Sequence, residues 1–237
     1  MSFFTNQSAT DQLSGSISEV NNASHASGLM ATESSLAAGS SLKRGFDITF
    51  SLTVLIVLLP VMLLIALAVK LDSPGPVFFK QARWGKGQKQ IRILKFRSMR
   101  TDLCDASGVT QTIDGDPRVT RLGSFLRKSS LDELPQFINV LMGDMSVVGP
   151  RCHAIGMIAA GVPYEQLVFN YHHRHEVRPG ITGLAQVRGW RGPTVDPVHA
   201  RARIAADLHY IENYSFWLDL QIIMATIRNE VCGGTGL

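Results

Sequence analysis

Ile48-Thr49-Phe50-Ser51-Leu52-Thr53-Val54-Leu55-Ile56-Val57-Leu58-Leu59-Pro60-Val61-Met62-Leu63-Leu64-Ile65-Ala66-Leu67-Ala68-Val69 is a run of 22 residues without a charge. As a helix it is about 33 Å long, enough for a hydrocarbon core of ~30 Å. A single stretch of this kind excludes a multi-pass transporter. Pro60, near its middle, removes one backbone hydrogen bond and crowds the preceding turn. Positive charge flanks both ends: Lys43 and Arg44 before, Lys70, Lys80, Arg83, Lys86 and Lys89 after. The positive-inside rule therefore gives no direction. Two readings fit the residues equally: a kinked spanning helix, and a helix broken at Pro60 that enters and leaves by one face.

Upstream, residues 1–42 are rich in Ser, Asn and Ala and contain no Lys or Arg. Their apolar residues have no sustained period, so they read as a disordered tail. Neither a basic n-region nor a compact apolar block is present to make a signal peptide. Over all 237 residues the net charge is +4, and only 18% are charged, below the ~25% of ordinary soluble domains. That balance, without a dense basic stripe or a finger or RNP-like motif, argues against a nucleic-acid partner. The 3 cysteines are scattered, which encodes neither a disulfide framework nor a zinc site.

The remainder, about residues 72–232, reads as a mixed domain of helices and strands. Asp72-Ser73-Pro74-Gly75-Pro76 is a stop and turn. Val77–Ala82 and Gln90–Phe96 predict a hairpin about Gly85-Lys86-Gly87-Gln88. Asp105–Asp116 reads as a loop. Helices are expected over Arg118–Lys128, Leu134–Leu141 and Phe216–Val231.

Chemistry concentrates in Ser129-Ser130-Leu131-Asp132-Glu133-Leu134-Pro135-Gln136. Its structural reading is a helix start, with Ser130-x-x-Glu133 as a capping box or Asp132 as the cap. Its functional reading uses the same place, because a carboxylate at a helix N-terminus stays ionised and nucleophilic. Adjacent helical residues project about 100° apart, so Asp132 and Glu133 would divide labour rather than share a proton. Gly143-Asp144-Met145-Ser146-Val147-Val148-Gly149-Pro150-Arg151 offers small residues that admit a ligand and a forked donor for phosphate. Arg178–Trp190 adds arginines and the amide of Gln186. His172-His173-x-His175 lacks partners at metal-ligand spacing. The structural readings of the first two of these stretches are a Gly/Pro loop with an exposed arginine and a loop followed by a short strand, and a metal at the histidines is not expected.

Together these blocks resemble the bacterial sugar transferase family, the monotopic polyprenyl-phosphate phosphoglycosyltransferases. The resemblance runs from Lys43-Arg44-x-Phe46-Asp47 to Ser215-Phe216-Trp217-Leu218-Asp219-Leu220. Between them lie Leu94-Lys95-Phe96-Arg97-Ser98-Met99, Asp116-Pro117-Arg118-Val119-Thr120, Arg127–Gln136, Met142–Arg151 and Arg178–Gly189. Within the family the chain is most similar to rhizobial exopolysaccharide enzymes that load the first sugar.

The resemblance implies a small helix-rich α+β domain on the cytoplasmic face of the bacterial inner membrane. A re-entrant helix broken at Pro60 would anchor it, so the expected units are tail 1–42, membrane helix 43–71 and catalytic domain 72–237. It implies transfer of a hexose-1-phosphate, glucose or galactose favoured, from a UDP-sugar to undecaprenyl phosphate with release of UMP. Asp132 would be the nucleophile, and Glu133 would help hold Mg²⁺ with it or assist the acceptor. Arg118, Arg151 and Arg178, with Lys95, are the expected phosphate ligands; Gln186 and Arg188 would face nucleotide or sugar. Membrane lipid and downstream glycosyltransferases complete the implied partners. The family usually follows Gly-Pro-Arg with a second proline, and this chain has Cys152 there. The alternative function is a catalytically idle membrane adaptor of a polysaccharide assembly complex.

Overall fold

The structure, a computed structural model, describes residues 40–103, 112 and 115–232, the last two without their side chains. Nearly all of the expected tail and most of the Asp105–Asp116 loop lie outside those residues.

The apolar run forms α1 (Ser41–Asp72), which starts slightly before the expected boundary at residue 43. Ser40 Oγ accepts from Lys43 N at 3.3 Å and caps it. Helical conformation continues through Pro60; the proline removes the N–H that would otherwise meet the Ile56 carbonyl. One stripe of α1 packs against the rest of the protein: Lys43, Asp47, Ser51, Leu55, Leu58, Met62, Ile65 and Val69. Their spacing of three or four places them on one face. On the other faces Ile56, Val57, Leu63, Leu64 and Leu67 are more than half exposed. A contiguous apolar surface of this kind calls for a covering. By length and composition, α1 is also the one helix among the described residues able to cross a membrane.

Both ends of α1 are fastened to the same domain. At the N-terminal end, Lys43 Nζ lies 3.1 Å from Asp47 Oδ1 and 2.8 Å from Asp219 Oδ2. Asp47 Oδ1 also accepts from Ser146 Oγ and Val147 N, both at 3.1 Å. At the C-terminal end, Arg97 donates to the carbonyls of Val69 and Ser73.

Beyond α1, β1 (Phe78–Trp84) and β2 (Gln90–Phe96) form the expected antiparallel hairpin, with Phe79 opposite Lys95 and Arg83 opposite Ile91. Thr120 caps α2 (Arg121–Lys128), its Oγ1 accepting from Gly123 N at 2.9 Å. A 3-10 turn, Leu131–Glu133, leads into α3 (Gln136–Met142). The short strand β3 (Ser146–Val148) pairs in parallel with a later strand, Gly180–Thr182. Between them lie the two-residue strands β4 (Ile158–Ala159) and β5 (Val162–Pro163), the turn of helix α4 (Tyr164–Leu167), and a 3-10 turn, Tyr171–His175. The strand Gly180–Thr182, here β6, is followed by α5 (Leu184–Val187), α6 (Pro197–Glu212) and α7 (Phe216–Cys232). The class is thus α+β and helix-rich, as expected.

Close backbone approach explains two of the motif glycines. A Cβ on Gly180 would lie 2.1 Å from Gly149 N, and one on Gly149 would lie 2.6 Å from the Arg178 carbonyl. The small residues of the two glycine-containing blocks therefore admit each other's backbone, where the sequence suggested room for a ligand.

Three apolar clusters organise the core. The largest joins Ile93, Val140, Met145, Val147, Ile211 and Ile222, with Phe46 and Phe50 from the first half of α1. The second joins Met62, Ile65 and Val69 from its second half to Phe96, Leu126, Leu131 and Leu134. The third gathers Tyr164, Tyr171, Ala200 and Ile204.

Candidate active site

Leu131 and Leu134 drop into the second cluster, and the two residues between them are Asp132 and Glu133. Packing of the flanking leucines ties the turn that carries the acid pair to the cluster built on the C-terminal half of the apolar helix. Ser130 enters the turn in the left-handed region at φ +53 and makes no side-chain capping bond. For a non-glycine residue that conformation costs about 1 kcal/mol. The capping-box reading is thereby corrected: Glu133 turns to cations from other elements.

Those cations come from β2 and from the segment after β3. Strand alternation sends Phe96 into the apolar cluster and Lys95 to the other face. Lys95 Nζ is 2.6 Å from Glu133 Oε1 and 3.9 Å from Asp132 Oδ2. Arg151 grips Glu133 with both arms, Nη1 to Oε2 at 3.1 Å and Nη2 to Oε1. The environment then drives the two neighbouring acids apart. Burial would raise both. For Glu133 that effect is overcome by Arg151 and Lys95, which hold it well below the usual carboxylate range. For Asp132 burial prevails over the opposing charge of Lys95, so its pKa is raised. Opposite shifts in paired carboxyls are a means of assigning them different roles.

Two further cations belong here that the sequence reading did not single out. The charge of Arg127, at the end of α2, acts on Asp132. Arg83 lies on the Lys95 face of the hairpin, bound through Nε to Gln81 Oε1 at 3.0 Å, and its pKa is lowered chiefly by burial. The period-two spacing of Gln81 and Arg83 against Lys95 across the hairpin was the available signal.

The other expected ligands are placed elsewhere or turned to other partners. Arg118 clamps Asp116, Nε to Oδ1 at 2.9 Å and Nη2 to Oδ2 at 2.7 Å. Arg178 donates from Nε to the Gly143 carbonyl at 2.8 Å, at the end of α3 opposite the acid pair. Gln186 is buried, with Nε2 on the Ile181 carbonyl at 3.1 Å and Oε1 unpartnered. Arg188 is exposed at the end of α5. Cys152 is a buried free thiol in the largest cluster. In the histidine stretch, His173 pairs with Glu176 at 2.8 Å, while His175 is pushed down to about 3, chiefly by burial.

A fit to Mg²⁺ can be judged from the donors. The described residues contain no group of three or more His, Cys, Asp or Glu able to hold a metal. Mg²⁺ typically takes one or two carboxylates and completes its shell with phosphate oxygens and water. Asp132 and Glu133 match that donor set, and Asp132 is the less heavily paired of the two.

An acid pair of divided character, ringed by cations and set against an apolar helix, is suited to handling phosphate beside a membrane. The chain belongs to the bacterial sugar transferase family, whose model matches residues 38–233. It is 62% identical over 195 residues to the exopolysaccharide production protein PSS of Rhizobium leguminosarum bv. phaseoli, covering 82% of this chain and 98% of that one. It is 51% identical over 186 residues to the UDP-glucose:undecaprenyl-phosphate glucose-1-phosphate transferase of Escherichia coli K12, covering 78% of this chain and 39% of the relative. An N-acetylgalactosaminephosphotransferase acting from UDP-N-acetylgalactosamine to undecaprenyl phosphate, from Aeromonas hydrophila, is 44% identical over 192 residues, covering 81% of this chain and 44% of the relative. The chain thus spans less than half the length of the last two.

Proposed function

We propose that this protein transfers a sugar-1-phosphate from a UDP-sugar to undecaprenyl phosphate, releasing UMP, as the initiating step of exopolysaccharide assembly. The observation that carries the reading is the buried Asp132-Glu133 pair, held by Lys95 and Arg151 on a turn tied to the apolar helix. Asp132 attacks the sugar-bearing phosphorus; its P–O bond to UMP breaks as the bond to Asp132 forms. An oxygen of undecaprenyl phosphate then attacks the same phosphorus and frees Asp132. Desolvation makes the ionised Asp132 a stronger nucleophile, while Lys95, Arg127 and Arg151 neutralise charge on the diphosphate. Glu133 keeps Lys95 and Arg151 oriented toward that position. Mg²⁺, held by Asp132 and Glu133 with substrate oxygens, would supply further neutralisation of phosphate charge. Relatives named for UDP-glucose favour glucose as the sugar.

The test is purified protein in detergent with Mg²⁺, undecaprenyl phosphate and a panel of UDP-sugars, scored for UMP beside Asp132→Asn. Release with one donor, lost in the variant, is expected; equal release by the variant would sink the assignment of Asp132.

We also infer that α1 enters and leaves the membrane by the cytoplasmic face of the inner membrane. Support comes from its two ends, Lys43 and Val69, both bound to one domain. A helix crossing ~30 Å of hydrocarbon would separate them. Tags at residue 2 and at the C-terminus are expected to be shielded together from a reagent added outside intact cells. Labelling of the N-terminal tag alone would establish a spanning helix.

A further inference from the structure

A further buried ion pair is one that the chemistry above does not use. Arg174, in the 3-10 turn Tyr171–His175, and Asp207, on α6, have side chains only 1% and 2% exposed. Arg174 donates to Asp207 Oδ2 from Nε at 3.2 Å and from Nη2 at 2.7 Å. Its guanidinium also lies 5.4 Å from the centre of the Tyr171 ring. Asp207 Oδ1 is buried without a partner. Buried ion pairs are poor stabilisers, because removing both charges from water costs several kcal/mol, and an orphaned oxygen adds to that cost. What the pair does bind is informative: Arg174 Nη2 also donates to the main-chain carbonyl of Arg151.

That bond is one of three on consecutive carbonyls. Gly180 N donates to Pro150 O at 2.9 Å, Arg174 to Arg151 O, and Arg83 Nη1 to Cys152 O at 3.4 Å. The segment belongs to no strand longer than an isolated bridge between Arg151 and Gly180. Nothing in its own sequence after Pro150 restricts its dihedrals, so these donors, each from a different element, define its path.

We propose that Arg174, oriented by Asp207, is a positioning residue for the transfer reaction: it fixes the Arg151 peptide so that the Arg151 guanidinium meets Glu133 and the phosphate. This rests on the phosphoryl-transfer reading above. Arg174 acts through that peptide, since its hydrogen bonds go to Asp207 and to the Arg151 carbonyl. A lysine there keeps the charge but loses the fork that reaches Asp207 and the carbonyl together.

The prediction has a compensating change. Arg151, bridged to Gly180, is extended as a residue before proline must be. Cys152→Pro therefore stiffens the same segment from within.

In the detergent assay with UDP-glucose and undecaprenyl phosphate, Arg174→Lys is expected to lower kcat about 10- to 100-fold, with the donor KM within about threefold. Asp207→Asn, which leaves the guanidinium in place but weakens its hold, should act in the same direction. Adding Cys152→Pro to either should recover kcat at least about fivefold without restoring the melting temperature, a split that a purely structural role does not produce. An Arg174→Lys enzyme within about twofold of the parent overturns the proposal. So does a deficit that follows the folded fraction by circular dichroism, or one that Cys152→Pro leaves untouched. Asp132→Asn in the same assay judges the underlying reading separately: if it turns over like the parent, the nucleophile assignment fails, whatever Arg174 does.

Discussion

Two clusters in this protein set one lysine against two carboxylates, and they differ in how completely they are closed. In the first, Lys43 lies between Asp47 and Asp219, at 3.1 and 2.8 Å, with all three side chains no more than 4% exposed. The Tyr210 hydroxyl donates to Asp219 Oδ1 at 2.7 Å, and Ser146 Oγ and Val147 N fill Asp47. In the second, Lys95 lies between Glu133 and Asp132, at 2.6 and 3.9 Å, and is itself 19% exposed. Arg151 joins it with a side chain 37% exposed. The closed cluster is shut off from solvent, so it fastens the start of α1 to β3 and α7. The open cluster has cations from the hairpin, α2 and the segment after β3 around two acids, and Lys95 and Arg151 are partly exposed, an arrangement that suits an incoming anion. The same residue types thus make a joint in one place and the proposed reaction site in the other, and access distinguishes them.

The comparison can be broken at several points. Removing the reacting atom in the open cluster has the largest expected effect: Asp132→Asn should cut UMP release roughly a thousandfold or more while the protein stays folded, checked by steady-state assay and circular dichroism. In the closed cluster, Asp219→Ala leaves Lys43 with Asp47 alone and takes from the Tyr210 hydroxyl its shorter bond, in a dry interior. A loss of ~3 kcal/mol in stability is expected by chemical denaturation, with turnover per folded molecule nearly unchanged. Were Asp219→Ala to abolish turnover of well-folded protein, the division between joint and site would be wrong. Replacing the fork on Glu133 should cost less: Arg151→Lys keeps one charge but not the two-armed grip, and kcat/KM should fall about 10- to 100-fold.

The smallest effect is a shift in pH dependence. Asp132 must be ionised to attack, so the acid limb of kcat/KM follows its pKa, which burial raises and the charge of Glu133 raises further. Glu133→Gln removes that charge and leaves Lys95 and Arg151 free to face Asp132. Both changes favour the ionised form, so the limb should move to lower pH. A limb that moves up, in a rate–pH profile of the variant, would show that Asp132 is not the titrating group.

Periodicity made several elements legible: α1 from its uncharged run, the hairpin from alternation about Gly85–Gln88, and α2, α3 and α7 to within a few residues. Helix α6 was not expected, although Asp196 and Pro197 form an ordinary cap and first turn. Its buried face carries Arg203 and Asp207 beside Ala200, Ile204 and Tyr210, so apolar spacing is interrupted where the helix is most enclosed. The acid pair was legible as a motif, but its partners were only partly so. Lys95 and Arg151 were named in advance, whereas Arg83 and Arg127 became visible only once the hairpin and α2 were packed. Arg118 and Arg178 were expected beside the phosphate, yet each meets a nearer acceptor, the Asp116 carboxylate and the Gly143 carbonyl.

Local sequence by itself determined what depends on neighbours along the chain: an apolar helix long enough for a membrane, a hairpin, and two adjacent acids at the mouth of a helix. Tertiary structure alone decided which lysine became a joint and which stands at the proposed reaction site, because that depends on solvent access and on donors distant in sequence, such as Lys95, 38 residues before Glu133. It also decided that both ends of α1 meet one domain. Sequence periodicity carries the burial of a face but not the identity of what covers it, and charge in a protein acquires its chemical meaning from the surroundings that desolvate and pair it.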